Sequence, residues 1–211
     1  MKVKLSRFQW AALVVVITHL VGVAGFLSPF KAYFILITPL HLLISTALLI
    51  ANQAERNTHF IIAAVVAYLV GFWIEVAGIN TGLIFGEYAY DSALGLKLFD
   101  TPLMIGVNWM MLILSIGAVF SRLNANWLFK AFISAMAMTA LDYLIEPVAI
   151  VYDFWHWKTD SIPLQNYLAW LITSFVLFAV YFRLRFQKEN PLAVVVLAMQ
   201  IVFFGLLNFF S

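Results

Sequence analysis

Seven stretches of this sequence are each long and apolar enough to cross a lipid bilayer, and no other feature constrains the fold so strongly. They run from about 8–27, 32–51, 60–79, 102–120, 127–151, 164–183 and 192–210. A span needs about 20 apolar residues, since about 1.5 Å of rise per residue must cover a hydrocarbon core about 30 Å thick. Inside hydrocarbon each segment must satisfy its own backbone amides, so such stretches fold as helices. The expected fold is an all-α, polytopic membrane helical bundle of about seven transmembrane helices, in one integral membrane domain over residues 1–211. Composition agrees. The chain is 64% hydrophobic and 10% charged, where a soluble domain is about 25% charged, and its mean hydropathy is +0.99. The link Ser28-Pro29-Phe30-Lys31 is so short that the first two spans must form a tight hairpin.

Charge placement sets the expected orientation. Lys2, Lys4, Arg7, Arg56, Arg122, Lys130, Arg183, Arg185 and Lys188, nine of the twelve Lys and Arg, fall on the amino-terminal side. Only Lys31, Lys97 and Lys158 fall on the other. The positive-inside rule then puts the amino terminus in the cytoplasm and the carboxyl terminus outside, with the bacterial inner (cytoplasmic) membrane as the expected location. No cleavable signal peptide is evident.

The polar chemistry is concentrated in two places, 73–109 and 141–170, both expected at the outer side. The connections there carry Glu87, Asp91, Asp100, Asp153 and Asp160 against Lys97 and Lys158. The connection 80–101 is too long for a bare turn and is expected to hold a short interfacial helix or a re-entrant piece, its aromatics in the headgroup layer. Gly78 is expected to serve close helix contact, and Gly82 and Gly86 to serve turns. The trio Trp155-His156-Trp157 reads first as an interfacial anchor.

Three acids, Glu75, Asp142 and Glu146, lie inside spans. Facing lipid unpaired, each would cost several kcal/mol, so they should face the bundle interior. Asp142 and Glu146 are four residues apart and share a helix face. Two carboxylates so close in a low dielectric repel, and at least one is expected to keep its proton. A carboxylic acid held neutral near neutral pH is a usable general acid. The competing reading is structural: a buried acid that bonds a Trp, Tyr or Asn can simply fix helix packing. Pro147 can kink its helix with no chemical role at all.

Other chemistries find no support. His19, His41, His59 and His156 are too scattered for the histidine boxes of membrane di-iron enzymes. With no cysteine there is no thiolate metal site or disulfide. No deep lysine offers a Schiff base, no paired aspartates offer a magnesium diphosphate site, and no phosphate loop or Ser-His-Asp set stands out.

The pattern Glu75-x-x-Gly78-x-x-x-Gly82-x-x-Phe85-Gly86-x-Tyr88-x-Tyr90 resembles that of the membrane carotenoid-biosynthesis hydratases, of the CruF and bisanhydrobacterioruberin-hydratase types. The resemblance continues through Pro102 and Asn108-Trp109. It resumes at Asp142-x-x-x-Glu146-Pro147, Trp155-x-Trp157 and Pro163-x-x-Asn166-x-x-x-Trp170. It implies addition of water across the terminal double bond of an acyclic carotenoid end, by protonation to a tertiary cation, with no cofactor and no metal. Glu75, Asp142 and Glu146 would be catalytic. Tyr88, Tyr90, Asn108, Trp109, Trp155, Trp157 and Asn166 would bind substrate, the two asparagines fixing the carboxyls. The expected partners are a hydrophobic carotenoid, water, membrane lipid and other carotenoid-biosynthesis enzymes, with no nucleic acid. A cyclase or isomerase using the same acids without water, a lipid or carotenoid carrier, and a proton-coupled transporter are the alternatives.

Overall fold

The computed structural model describes residues 5–159 and 161–210; Lys2, Lys4 and Asp160, named above, lie outside the described residues. Seven helices form: α1 Arg7–Phe26, α2 Lys31–Ala51, α3 Thr58–Thr81, α4 Leu103–Ser121, α5 Trp127–Val151, α6 Leu164–Arg183 and α7 Pro191–Phe210. All seven are long and apolar enough to cross a membrane, and their bounds fall within two residues of the expected stretches. Local chemistry explains several ends. Ser6 begins α1 with a reciprocal capping box to Gln9, while Asn57 and Asn126 accept the amides of Phe60 and Phe129 at the starts of α3 and α5. Gly82 ends α3 at φ +67, in the left-handed region that glycine adopts freely, and Gly86 turns the chain again at φ +108.

Helix α4 is the hub. It packs against α2, α3, α5, α6 and α7, and most of its length is buried. Helices α1 and α2 pair as the expected hairpin, with α1 lying along α7. The most extensive pairing is α5 with α6.

The connection 80–101 holds no interfacial helix. It contributes short strands instead, β1 Tyr88–Tyr90, β2 Lys97–Leu98 and, at its end, β3 Thr101–Pro102. Strands β2 and β3 close a small hairpin whose turn residues Phe99 and Asp100 both have positive φ, as a two-residue hairpin turn of this hand requires. Strand β1 pairs antiparallel with β4, Trp155–Trp157, from the other polar cluster. Strands of two or three residues carry no readable periodicity, and this pair joins segments distant in sequence. Gly78 also differs from expectation. A Cβ there would lie 2.4 Å from the Phe85 ring, so Gly78 makes room for the loop after α3 rather than for another helix.

Candidate active site under an aromatic ribbon

The ribbon β1–β4 covers one end of the bundle, and its alternation sorts its side chains. Tyr88 lies opposite Trp157 and Tyr90 opposite Trp155, whereas Ala89 lies opposite His156. Because successive strand residues face opposite ways, two tyrosines and two tryptophans share one face and His156 takes the other. The four rings pack across the strands, with centroids 5.0 Å apart for Tyr88–Trp157 and 5.7 Å for Tyr90–Trp155. His156 is exposed and meets Asp91 at 3.0 Å; Lys158 meets Glu87 at 3.1 Å. The trio thus divides: its indoles turn inward onto an acid, and only the histidine faces out.

The inward polar atoms meet the three acids. Glu75, near the end of α3, accepts from Tyr88 through a short hydrogen bond and from Tyr90 at 3.0 Å, both on Oε2. Its Oε1 accepts from Trp109 Nε1 of α4 at 3.0 Å. Gly71, one turn earlier on α3, lets the Trp109 side chain come so close that a Cβ at position 71 would lie 2.3 Å from it. Trp109 is held from its other side by Trp170, with ring centroids 4.4 Å apart. Glu146 Oε2 accepts from Trp155 Nε1 at 3.1 Å and Trp157 Nε1 at 2.9 Å. Asn166 of α6 donates Nδ2 to Glu146 Oε1 at 3.3 Å and to Asp142 Oδ2 at 3.0 Å. Among the described residues, Asp142 Oδ1 has no hydrogen-bond partner, and it is buried. Burial, and after it the charge of Glu75, push the phenols of Tyr88 and Tyr90 well above the ordinary tyrosine value, so both stay donors.

All ten expected site residues line one cavity of about 20 Å³: Glu75, Tyr88, Tyr90, Asn108, Trp109, Asp142, Glu146, Trp155, Trp157 and Asn166. The asparagines differ in what they do. Asn166 bridges two carboxyls, while among the described residues Asn108 bonds none. Instead Asn108 stands at a boundary. With Ile105, Ile145 and Trp155 it also lines a second cavity, an apolar groove of about 360 Å³ between α1, α2, α7 and the α4–α5 wall. The exposed side chains of Ile17, Ile37 and Leu40 rim this groove. Sequence reasoning missed the groove and left out Trp170. Trp170 stands in the quoted motif, but nothing local marks the groove, whose walls come from the apolar faces of five helices.

These features define an integral membrane protein whose polar interior is a cluster of three carboxyls, two of them, Glu75 and Glu146, each ringed by three fixed N–H or O–H donors. A family model described as "Carotenoid biosynthesis protein" matches residues 30–211, and the chain belongs to that family. It is 26% identical over 185 residues to a bisanhydrobacterioruberin hydratase of Haloarcula japonica, an alignment covering 81% of this chain and 62% of that protein. The chain therefore spans less than two thirds of that relative's length. No solved structure matches it.

Proposed function

We propose that this chain is a carotenoid hydratase that adds water across the terminal carbon–carbon double bond of an acyclic carotenoid end and needs no cofactor. One observation carries the reading: a cavity lined by three carboxyls shares four wall residues with an apolar groove rimmed by exposed Ile17, Ile37 and Leu40, which would give a polyene its route to the acids. About 20 Å³ is room for a single water, since one water needs at least about 10–15 Å³ with polar neighbours.

Hydrogen-bond inventory divides the roles. Donors aimed at a carboxyl favour its anion. Glu75 and Glu146 each receive three donors, whereas Asp142 shares one amide with Glu146 and has a bare Oδ1. Asp142 therefore carries the proton. It protonates the CH carbon of the terminal alkene, and the π electrons form the new C–H bond. The adjoining dimethyl-substituted carbon becomes a tertiary cation. The indoles of Trp109, Trp155 and Trp157 offer π electron density to that cation, and the fixed carboxylate of Glu75 offsets its charge. Water held at Asn108 adds to the cation and passes a proton to Glu146. That proton returns to Asp142 Oδ1 through water in the cavity that both acids line, while Asn166 holds the two carboxyls in place, leaving a tertiary alcohol and an unchanged enzyme. Room for a water beside the acids favours hydration over cyclisation.

The same reading places one domain in a bacterial cytoplasmic membrane, amino terminus inside and ribbon outside, with lipid and neighbouring enzymes of carotenoid biosynthesis as partners. The positive-inside count supports that orientation. The test is expression in cells that make lycopene or γ-carotene, with products read by mass spectrometry. A product heavier by one water is expected. An isomer of unchanged mass points to a cyclase, and no change with any acyclic end overturns the proposal.

A further inference from the structure

The groove and the acids lie in separate cavities. Glu75, Asp142 and Glu146 line the small cavity and not the groove, and the two meet at four shared side chains, Ile105, Asn108, Ile145 and Trp155. At about 20 Å³ the acid cavity has room for a water. A branched five-carbon chain end is close in size to benzene, and a protein cavity that takes up benzene measures about 150 Å³. The groove, about 360 Å³, can hold such an end, and the acid cavity cannot. An alkene in the groove therefore meets a wall before it meets a carboxyl. Proton transfer needs the two within hydrogen-bond reach, so part of that wall has to move.

The four side chains differ in their freedom to do so. Ile105 and Ile145 are buried in the packed core, on α4 and α5. Asn108 is short, and turning it clears little space. Trp155 is half-buried and stands on β4, a strand of three residues. Among the described aromatic residues around the acids, it is the one that also lines the groove. Its ring sits edge-on to Tyr90, 5.7 Å between centroids, whereas fully buried Trp109 lies flat on Trp170 at 4.4 Å. Its indole N–H donates at 3.1 Å to Glu146 Oε2, an oxygen that Trp157 also holds, at 2.9 Å. When Trp155 swings away, Glu146 keeps Trp157 and Asn166, so no carboxyl is stripped of its donors. Indole is the bulkiest side chain, and the space it vacates is roughly what the chain end lacks.

We propose that Trp155 is the gate between the groove and the acids, and that Ile105 and Ile145, which stay in place when it opens, set the girth of the chain end admitted. Two methyl groups on the terminal carbon pass; longer branches do not. This rests on the hydratase reading and adds to it the residues that control entry.

In a stopped-flow instrument the detergent-solubilised protein is mixed with N,N-dimethyldodecylamine, and indole fluorescence follows binding. Its protonated end stands in for the tertiary cation beside carboxylates and indoles. In the wild type the observed rate should level off as amine concentration rises, because binding waits for a minor open state. In Trp155→Ala and in Trp155→Leu it should stay linear and exceed the wild-type plateau by about tenfold or more, as expected when an open state populated at about 10% or less becomes permanent. Trp157→Ala removes the other Glu146 indole but no groove residue, and should keep the plateau. N,N-dipropyldodecylamine should bind the wild type about tenfold more weakly than the dimethyl amine, the scale on which a pocket rejects extra methylenes. That ratio should fall to about two in Ile145→Ala, and less far in the milder Ile145→Val. A wild-type rate that stays linear throughout overturns the gate, as does a plateau that survives both substitutions at position 155. A girth ratio unchanged in both Ile145 variants overturns the selection. Hydrated product from lycopene with ungated binding sinks this inference alone. Gated binding without hydrated product from any acyclic carotenoid sinks the hydratase reading alone.

Discussion

Asp142 and Glu146 sit one helical turn apart on α5, yet the structure treats them differently. Glu146 receives two indole N–H groups and half an amide, and Asp142 the other half alone. Asp142→Asn keeps the shape and removes the proton source of the proposed mechanism, under which turnover should fall by about 10²–10⁴-fold, the usual reach of a general acid. Hydrated product per unit of folded protein measures it. Trp155→Phe removes one of two indole donors and should slow turnover far less, because Trp157 still holds the same oxygen. The phenols give a prediction in pH. For Tyr88 and Tyr90 the folded pKa lies above the unfolded value of about 10. Their stabilising contribution is therefore complete below pH 10 and is lost as pH rises through the higher folded value. In a spectrophotometric titration two of the eight tyrosines should resist ionisation on account of this site. The Tyr88→Phe, Tyr90→Phe double variant should lose that resistant fraction; an unchanged titration would contradict the geometry.

At the scale of elements, the ribbon β1–β4 closes the site. Its charged clips are at the surface: Lys158 and Glu87 are 66% and 64% exposed. Surface pairs contribute about 0–1 kcal/mol, so Lys158→Ala should leave both Tm and turnover nearly unchanged. Strand pairing is another matter. Ala89 lies mid-strand opposite His156, and a proline there removes a ladder donor and distorts the strand. Ala89→Pro should release the indoles from Glu146 and the phenols from Glu75. Activity should drop at least as far as in Glu146→Gln, while far-ultraviolet circular dichroism still reports the helices. Persistent activity would mean the ribbon is only a cover.

Over the whole molecule, the acids and most of the groove wall belong to different helices. The carboxyls hang from α3 and α5, while the groove is bounded chiefly by α1, α2 and α7 and meets the acid cavity at the α4–α5 wall. Substrate capture and chemistry should therefore separate under mutation. Thr38, on α2, is half-buried in the groove wall and lies outside the acid cavity. Thr38→Trp should raise KM for a long polyene by about tenfold with kcat little changed, the pattern of lost uniform binding. A fall in kcat at constant KM would show instead that α2 reaches the reacting end.

Apolar run length alone was enough to read the seven helices, because the bilayer's thickness and the backbone's need for internal hydrogen bonds leave few other folds. The acids were legible for a related reason: Glu75, Asp142 and Glu146 stand out where charge is expensive. Spacing also placed Asp142 and Glu146 on one face. What spacing could not supply was pairing between distant segments. Nothing in Tyr88-Ala89-Tyr90 or Trp155-His156-Trp157 says that these triplets meet, and the indoles looked like membrane anchors until β1 paired with β4. Nor could the sequence separate Asn166, which bridges two carboxyls, from Asn108, which bonds neither and stands where the cavities meet. The groove and the wall it shares with the acid cavity were equally hidden. Ile105, Ile145 and Trp155 come from two helices and a strand, and only packing around α4 brings them to one wall. Local physics decides which segments enter the membrane; the unequal surroundings of three chemically similar acids arise only when distant segments close over them.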